Sequence, residues 1–153
     1  MPAAAANPQI EFPTPLEQHW QGLRVLQWRI DETANRALQA EHGISLSEYN
    51  ALAALVYSDD DGHLRQQFLA DSVPLNQSSL SRLVGRLENL GLTERYMCPN
   101  DRRGVYTQVT KAGIAMVEAA RSTYVGAVRE MLGEMADDPV MTRSLSEVVR
   151  ETD

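Results

Sequence analysis

Residues 76–111 read NQSSLSRLVGRLENLGLTERYMCPNDRRGVYTQVTK, and this stretch divides into a helix, a glycine stop and a hairpin with a basic tip. Asn76 is a good N-cap, because its side-chain oxygen can accept from the free N–H groups of a first helical turn. Leu80, Leu83, Val84, Leu87 and Leu90 then recur at the three-and-four spacing of one helical face. Gly91 supplies a C′ residue that enters the left-handed region without steric cost. At 100° per residue, Ser78, Ser81, Arg82, Gly85 and Asn89 fall opposite the leucines, with Arg86 at the border. The outward face is therefore small, hydrogen-bonding and positive.

Thr93–Met97 reads as a short strand and Gly104–Val109 as its antiparallel return. The intervening Cys98-Pro99-Asn100-Asp101-Arg102-Arg103 has the residue types of a turn. A helix followed by a basic-tipped hairpin has the shape of a winged helix-turn-helix, with the helix suited to a major groove and the tip to phosphates or a minor groove. Charge agrees. Residues 76–111 hold six basic and three acidic side chains, a formal +3, which leaves −10 for the rest of a chain whose total is −7. An acidic total disfavours loose nucleic-acid binding, whereas positive charge concentrated on one face permits specific binding.

This stretch resembles the MarR family of bacterial transcriptional regulators. The resemblance rests on Asp101-Arg102-Arg103, on Val109-Thr110 opening the next helix, and on Gly91-Leu92 and Arg95 upstream. It covers about residues 44–135 and is most specific over 80–113. It implies double-stranded DNA as partner, with the helix in the major groove, Arg103 reaching the minor groove and Asp101 holding that arginine in place. The expected DNA contacts are Gln77, Ser78, Ser81, Arg82, Arg86, Arg102 and Arg103, with Asp101 orienting. The resemblance also implies a small aromatic or phenolic effector in a pocket between the first, second and fifth helices. Trp20, Arg24, Tyr49, Tyr57 and Tyr124 are the candidates there, each with a competing role in the core or at a dimer contact.

The rest of the chain fits around this head as a single domain of 153 residues. Residues 1–14 are expected to be a mobile tail and 45–110 the winged helix-turn-helix lobe, with 15–42 and 111–153 as dimerisation helices. Leu16, Trp20, Leu23, Leu26, Ile30, Ala34 and Leu38 stripe a first helix over Leu16–Ala40, and Trp28 off that stripe predicts a second buried face. His42-Gly43 ends it. Ser45 or Ser47 caps a second helix bearing Leu46, Tyr49, Leu52, Ala53, Leu55 and Val56. Asp59-Asp60-Asp61 is an acidic turn. Leu64–Asp71 is a third helix, with Phe68 and Leu69 inward. Val73-Pro74-Leu75 is the turn before the reading helix, since Pro74 cannot continue a helix. Thr110 caps a fifth helix to about Met135, and Pro139 suits the start of a sixth striped by Met141, Leu145, Val148 and Val149. The fold class is mainly α: about six helices plus a two-stranded wing. The outer helices exceed what the lobe needs, which predicts a two-fold homodimer with reading helices about 34 Å apart on an inverted-repeat operator.

Other readings are weaker. With 43% hydrophobic residues the chain is not disordered. A single cysteine excludes an intrachain disulfide framework and fits a reducing cytoplasm. No apolar run approaches the ~18–20 residues of a membrane span, and Met1–Pro15 lacks the positive region of a secretory signal. Cys98 invites a redox-switch reading, but no second cysteine can resolve a sulfenic acid within the chain. His19, His42 and His63 have no metal-ligand spacing, and the Asp59–Asp61 run lacks the alternation of a calcium loop. No nucleophile elbow, P-loop or dinucleotide fingerprint is present. The expectation is a DNA-binding regulator, a repressor, without enzymatic activity, cofactor or metal. The alternatives are a winged-helix module that binds protein instead of DNA, and a Cys98 redox sensor.

Overall fold

The computed structural model describes residues 13–58, 63–97 and 104–150. Within them six helices surround a small sheet: α1 (Pro15–His42), α2 (Leu46–Val56), α3 (Gln66–Ser72), α4 (Gln77–Asn89), α5 (Lys111–Ala136) and α6 (Pro139–Arg150), with β1 (His63–Arg65), β2 (Thr93–Met97) and β3 (Val105–Val109). The mainly α winged helix-turn-helix is as the sequence predicts. Residues 1–12 of the expected tail, the Asp59–Asp61 turn and the tip Cys98–Arg103 lie outside the described residues, as do the side chains of Phe68, Met141, Leu145, Val148 and Val149.

Helix ends follow local chemistry. Thr14 caps α1 in a reciprocal box with Glu17, in which the Thr14 N–H donates to Glu17 Oε2 at 2.6 Å and the Glu17 N–H to Thr14 Oγ1 at 3.3 Å. With Pro15 at its first position, α1 begins one residue earlier than the stripe predicts. It ends at Gly43, whose φ of 70° places it in the left-handed region. Of the two candidate caps of α2, Ser45 is the one used, in a reciprocal box with Glu48. Thr110 caps α5, as expected.

The core joins both halves of the chain. Leu38 of α1, Leu52 and Leu55 of α2, Leu69 and Val73 around α3, Leu80, Val84 and Leu87 of α4, Val109 of β3 and Val117 and Ala120 of α5 form one buried cluster. α1 packs along α5 and α6.

Three expectations change. The sheet has a third strand: β1 pairs antiparallel with β3, with His63 opposite Gln108 and Arg65 opposite Tyr106, in the order β1-β3-β2. The outer edge of β3 would otherwise leave unpaired N–H and C=O groups, so residues 63–65 extend to meet them and α3 starts at Gln66. Leu90 is 48% exposed instead of buried, because the helix stops beneath it. At the N-terminal end of α1, Leu16 and Trp20 are 48% and 57% exposed, and Trp28 is 63% exposed. The apolar stripe of α1 meets the core of its own chain only from about Leu23 onward.

Candidate nucleic-acid interface

Helix α4 is fixed at both ends by its own sequence. Asn76 Oδ1 accepts from the Ser79 N–H at 2.9 Å and from the Ser78 hydroxyl at 2.9 Å. At the other end, the Leu92 N–H reaches Leu87 O at 3.0 Å and the Gly91 N–H reaches Glu88 O at 2.9 Å. With Gly91 at φ 72°, this is a Schellman ending. It turns the chain into β2.

Leu80, Leu83, Val84 and Leu87 face the core, which turns Gln77, Ser78, Ser81, Arg82, Arg86 and Asn89 to the surface. The arginines differ in restraint. Arg82 folds back so that Nε approaches Ser78 O at 3.4 Å, a weak contact, and it has no acidic partner among the described residues. Arg86 pairs through Nε with Glu48 Oε1 at 2.5 Å. The Arg86 side chain is 60% exposed, whereas that of Glu48 is only 5% exposed. Two residues further, Glu88 pairs with Arg95 of β2. The helix is thus tied on one side to α2 and on the other to the wing.

The wing ladder runs from Thr93 opposite Val109 to Met97 opposite Val105. The Tyr96 and Tyr106 rings meet across it, tilted to one another, with centres 5.6 Å apart. Arg102, Arg103, Asp101 and Cys98 belong to the tip outside the described residues.

The five effector candidates do not converge within one chain. Tyr49 is buried and its ring centre lies 4.9 Å from that of Tyr124. Burial, reinforced by the nearby Tyr57 and Tyr124, raises the Tyr49 phenol above its usual range, while Arg121 opposes the shift. Trp20 and Arg24 flank Gly22, which faces Ser144 of α6, and are themselves exposed on the other side of α1. Leu38, which shares a core with Tyr49, is about 21 Å from Arg24 along the axis at ~1.5 Å per residue. Charge-based reading of α4 missed Glu48. The Ser45-x-x-Glu48 spacing marks it as a capping residue, but nothing local reveals its second contact to Arg86.

Comparison with known proteins finds the same likeness. The model of the MarR family matches residues 42–104, the span from the end of α1 through α4 and β2 into the wing. The crystal structure of Sco3205, a MarR family transcriptional regulator from Streptomyces coelicolor in complex with DNA, superimposes with a TM-score of 0.74 at 28% identity, covering 95% of this chain and 91% of that one. Over that span the chain is similar to MarR family regulators. Among curated relatives, the HTH-type transcriptional regulator MhqR of Bacillus subtilis is 28% identical over 100 residues, 65% of this chain and 67% of that protein. The apo form of MarR from E. coli shares the fold, with a TM-score of 0.69 at 21% identity over 87% and 95% of the two chains. These matches support a DNA-binding transcriptional regulator. No helix among the described residues is long and apolar enough to cross a membrane.

Proposed function

We propose that this protein is a sequence-specific repressor that binds an inverted-repeat operator as a homodimer and is released by a small aromatic or phenolic ligand. The observation that carries the DNA reading is the outward row of Gln77, Ser78, Ser81, Arg82 and Arg86 on a helix capped at both ends and braced to the wing. A helix so held meets base edges without first paying to order its own backbone. Residues 45–110 form the DNA-binding lobe, with Gln77, Ser78, Ser81, Arg82 and Arg86 entering the major groove and Arg102 and Arg103 contacting phosphate and minor groove, Asp101 orienting the latter.

Residues 15–42 and 111–153 form the dimerisation region. What supports this is an exposed ridge along α1, in which Leu16, Trp20, Arg24 and Trp28 succeed one another at intervals of four, together with exposed Leu132 on α5. Ridges of that spacing pack into the grooves of another helix, and apolar side chains this large are seldom left to water in a row. Dimerisation also offers Trp20 and Arg24 a second set of neighbours, as an effector pocket shared between protomers requires. A ligand there lowers DNA affinity only by binding better to the conformation whose reading helices are misspaced.

Fluorescence anisotropy with the protein's own upstream DNA across a salt series tests the reading. The expected result is tight binding that falls steeply with salt, by a protein that light scattering finds dimeric at low micromolar concentration. Salt-insensitive or absent DNA binding, or a monomer, would sink it.

A further inference from the structure

Glu48 has no part in the DNA reading as stated so far, yet it is a buried carboxylate pointed at the reading helix. One of its oxygens, Oε2, accepts the Ser45 N–H at 2.8 Å, and its own N–H donates to Ser45 Oγ at 3.1 Å. This reciprocal box fixes the carboxylate at the first turn of α2. Its other oxygen, Oε1, pairs with Arg86 Nε on α4. A charge removed from water to this degree needs a partner, and Arg86 is the cation supplied. Nε is only one of the five guanidinium donors. The rest of the group belongs to a side chain that is 60% exposed, on the same ridge as Arg82, one turn on.

We propose that Glu48 is a positioning residue for DNA recognition: it clamps Arg86 by Nε so that the Nη pair is presented, already oriented, to a base edge. The inference rests on the DNA reading given above. Clamping removes the rotamer freedom that a long side chain otherwise loses on binding, and the planar fork left outward matches the O6/N7 edge of guanine. Glu48 also cancels the charge of Arg86, so the pair adds little indiscriminate attraction to phosphate. Arg82, held only by its weak approach to Ser78 O, is free to adjust to the groove. The helix thus carries one arginine oriented before binding and one that settles into the groove on binding.

The test uses a duplex selected by the parent protein from a random-sequence pool, and a scrambled duplex of equal length. Glu48→Gln keeps the size and the capping acceptor while removing the charge, because glutamine serves in a capping box. Its expected effect is a fall of about tenfold or more in the ratio of selected to scrambled affinity, with scrambled binding unchanged or stronger. Arg86→Lys, which keeps the charge but not the fork, lowers the ratio likewise. Arg86→Gln retains a donor for Glu48 and gives the same loss without dependence on how Glu48→Gln folds. Once Arg86→Gln is present, adding Glu48→Gln changes the ratio no further, since both act through one contact. Overturning results are a ratio unchanged in Glu48→Gln or Arg86→Gln, or effects that simply multiply in the double variant. A role in stability alone would lower the melting temperature and weaken both duplexes together, which also overturns the proposal. If the parent selects no duplex at all, the DNA reading itself fails, an outcome distinct from a parent that discriminates and a Glu48→Gln variant that does so equally well.

Discussion

A Cβ placed on Gly113 would stand 2.2 Å from the carbonyl oxygen of Leu92 and 2.6 Å from Val109 Cγ2. The first turn of α5 therefore touches the backbone just beyond the reading helix. Thr110 closes the same junction: its N–H donates to Leu92 O at 3.0 Å, its hydroxyl donates to Gly91 O at 2.7 Å, and that hydroxyl accepts from the Gly113 N–H at 3.1 Å.

Gly113→Ala is accordingly expected to destabilise the protein by about 2–3 kcal/mol, because the obstructing atom is a hydrogen-bonded carbonyl and not a side chain that can swing aside. Thermal unfolding would show a drop of several degrees at ~2–4 °C per kcal/mol. Gly126→Ala, also within α5 but with open space around its Cα, is the contrast. It should stabilise by roughly 0.5–1 kcal/mol through helix propensity. Equal Tm values for the two would show that the junction is not tight.

Arg82→Ala should leave the melting temperature unchanged, because Arg82 is exposed and has only a weak backbone contact. It should weaken binding to a selected duplex by about 1–3 kcal/mol and relax the preference at one position of each half-site. Parent-like gel shifts from this variant would remove α4 from the groove.

Thr107 is fully buried in β3, and its hydroxyl oxygen has no hydrogen-bond partner among the described residues. A buried hydroxyl without a partner costs about 1–3 kcal/mol in lost hydration. Thr107→Val keeps the branched shape and removes that cost, so it should raise stability by about 1 kcal/mol. Denaturant titration should show a higher midpoint at an unchanged slope. A lower midpoint would mean that the hydroxyl is satisfied.

Polar contacts link α6 to α1. His19 Nδ1 lies 3.3 Å from Ser144 Oγ, and His19 Nε2 pairs with Glu147, which also accepts from Arg143 Nε at 2.9 Å. The hydrogen bond from Arg143 lowers the Glu147 carboxyl below its ordinary 4.5; burial opposes this and the charges of His19 and Arg143 add to it. A depressed folded-state pKa contributes stability above 4.5 that is lost as the pH falls through the lowered value. The α1–α6 contact should therefore loosen in acid. Glu147→Gln should show a shallower loss of Tm than the parent on acidification, and identical pH profiles would refute the role.

The parts of the fold that were legible in sequence are those fixed within a few residues. Asn76, Pro74 and Gly91 set the bounds of α4 by capping, ring geometry and φ, and the leucine spacing set its buried face. What was hidden depends on residues far apart in the chain. β1 carries no strand pattern of its own and exists because β3 offers it an edge. Leu90 has the right period for burial, but the Schellman ending turns the backbone one residue too soon. Periodicity shows that α1 is apolar at Leu16 and Trp20, yet it does not say which surface covers them. The pairing of Arg86 with Glu48 was hidden because the two lie on different helices.

The placement of Trp20 and Trp28 has a practical consequence. These are the chain's only two indoles, both sit on the outer side of α1, and the lobe from α2 to β3 holds none. Tryptophan emission should therefore follow events along α1 and be nearly silent to unfolding of the reading head. Selective excitation of tryptophan would then follow α1 without any added label.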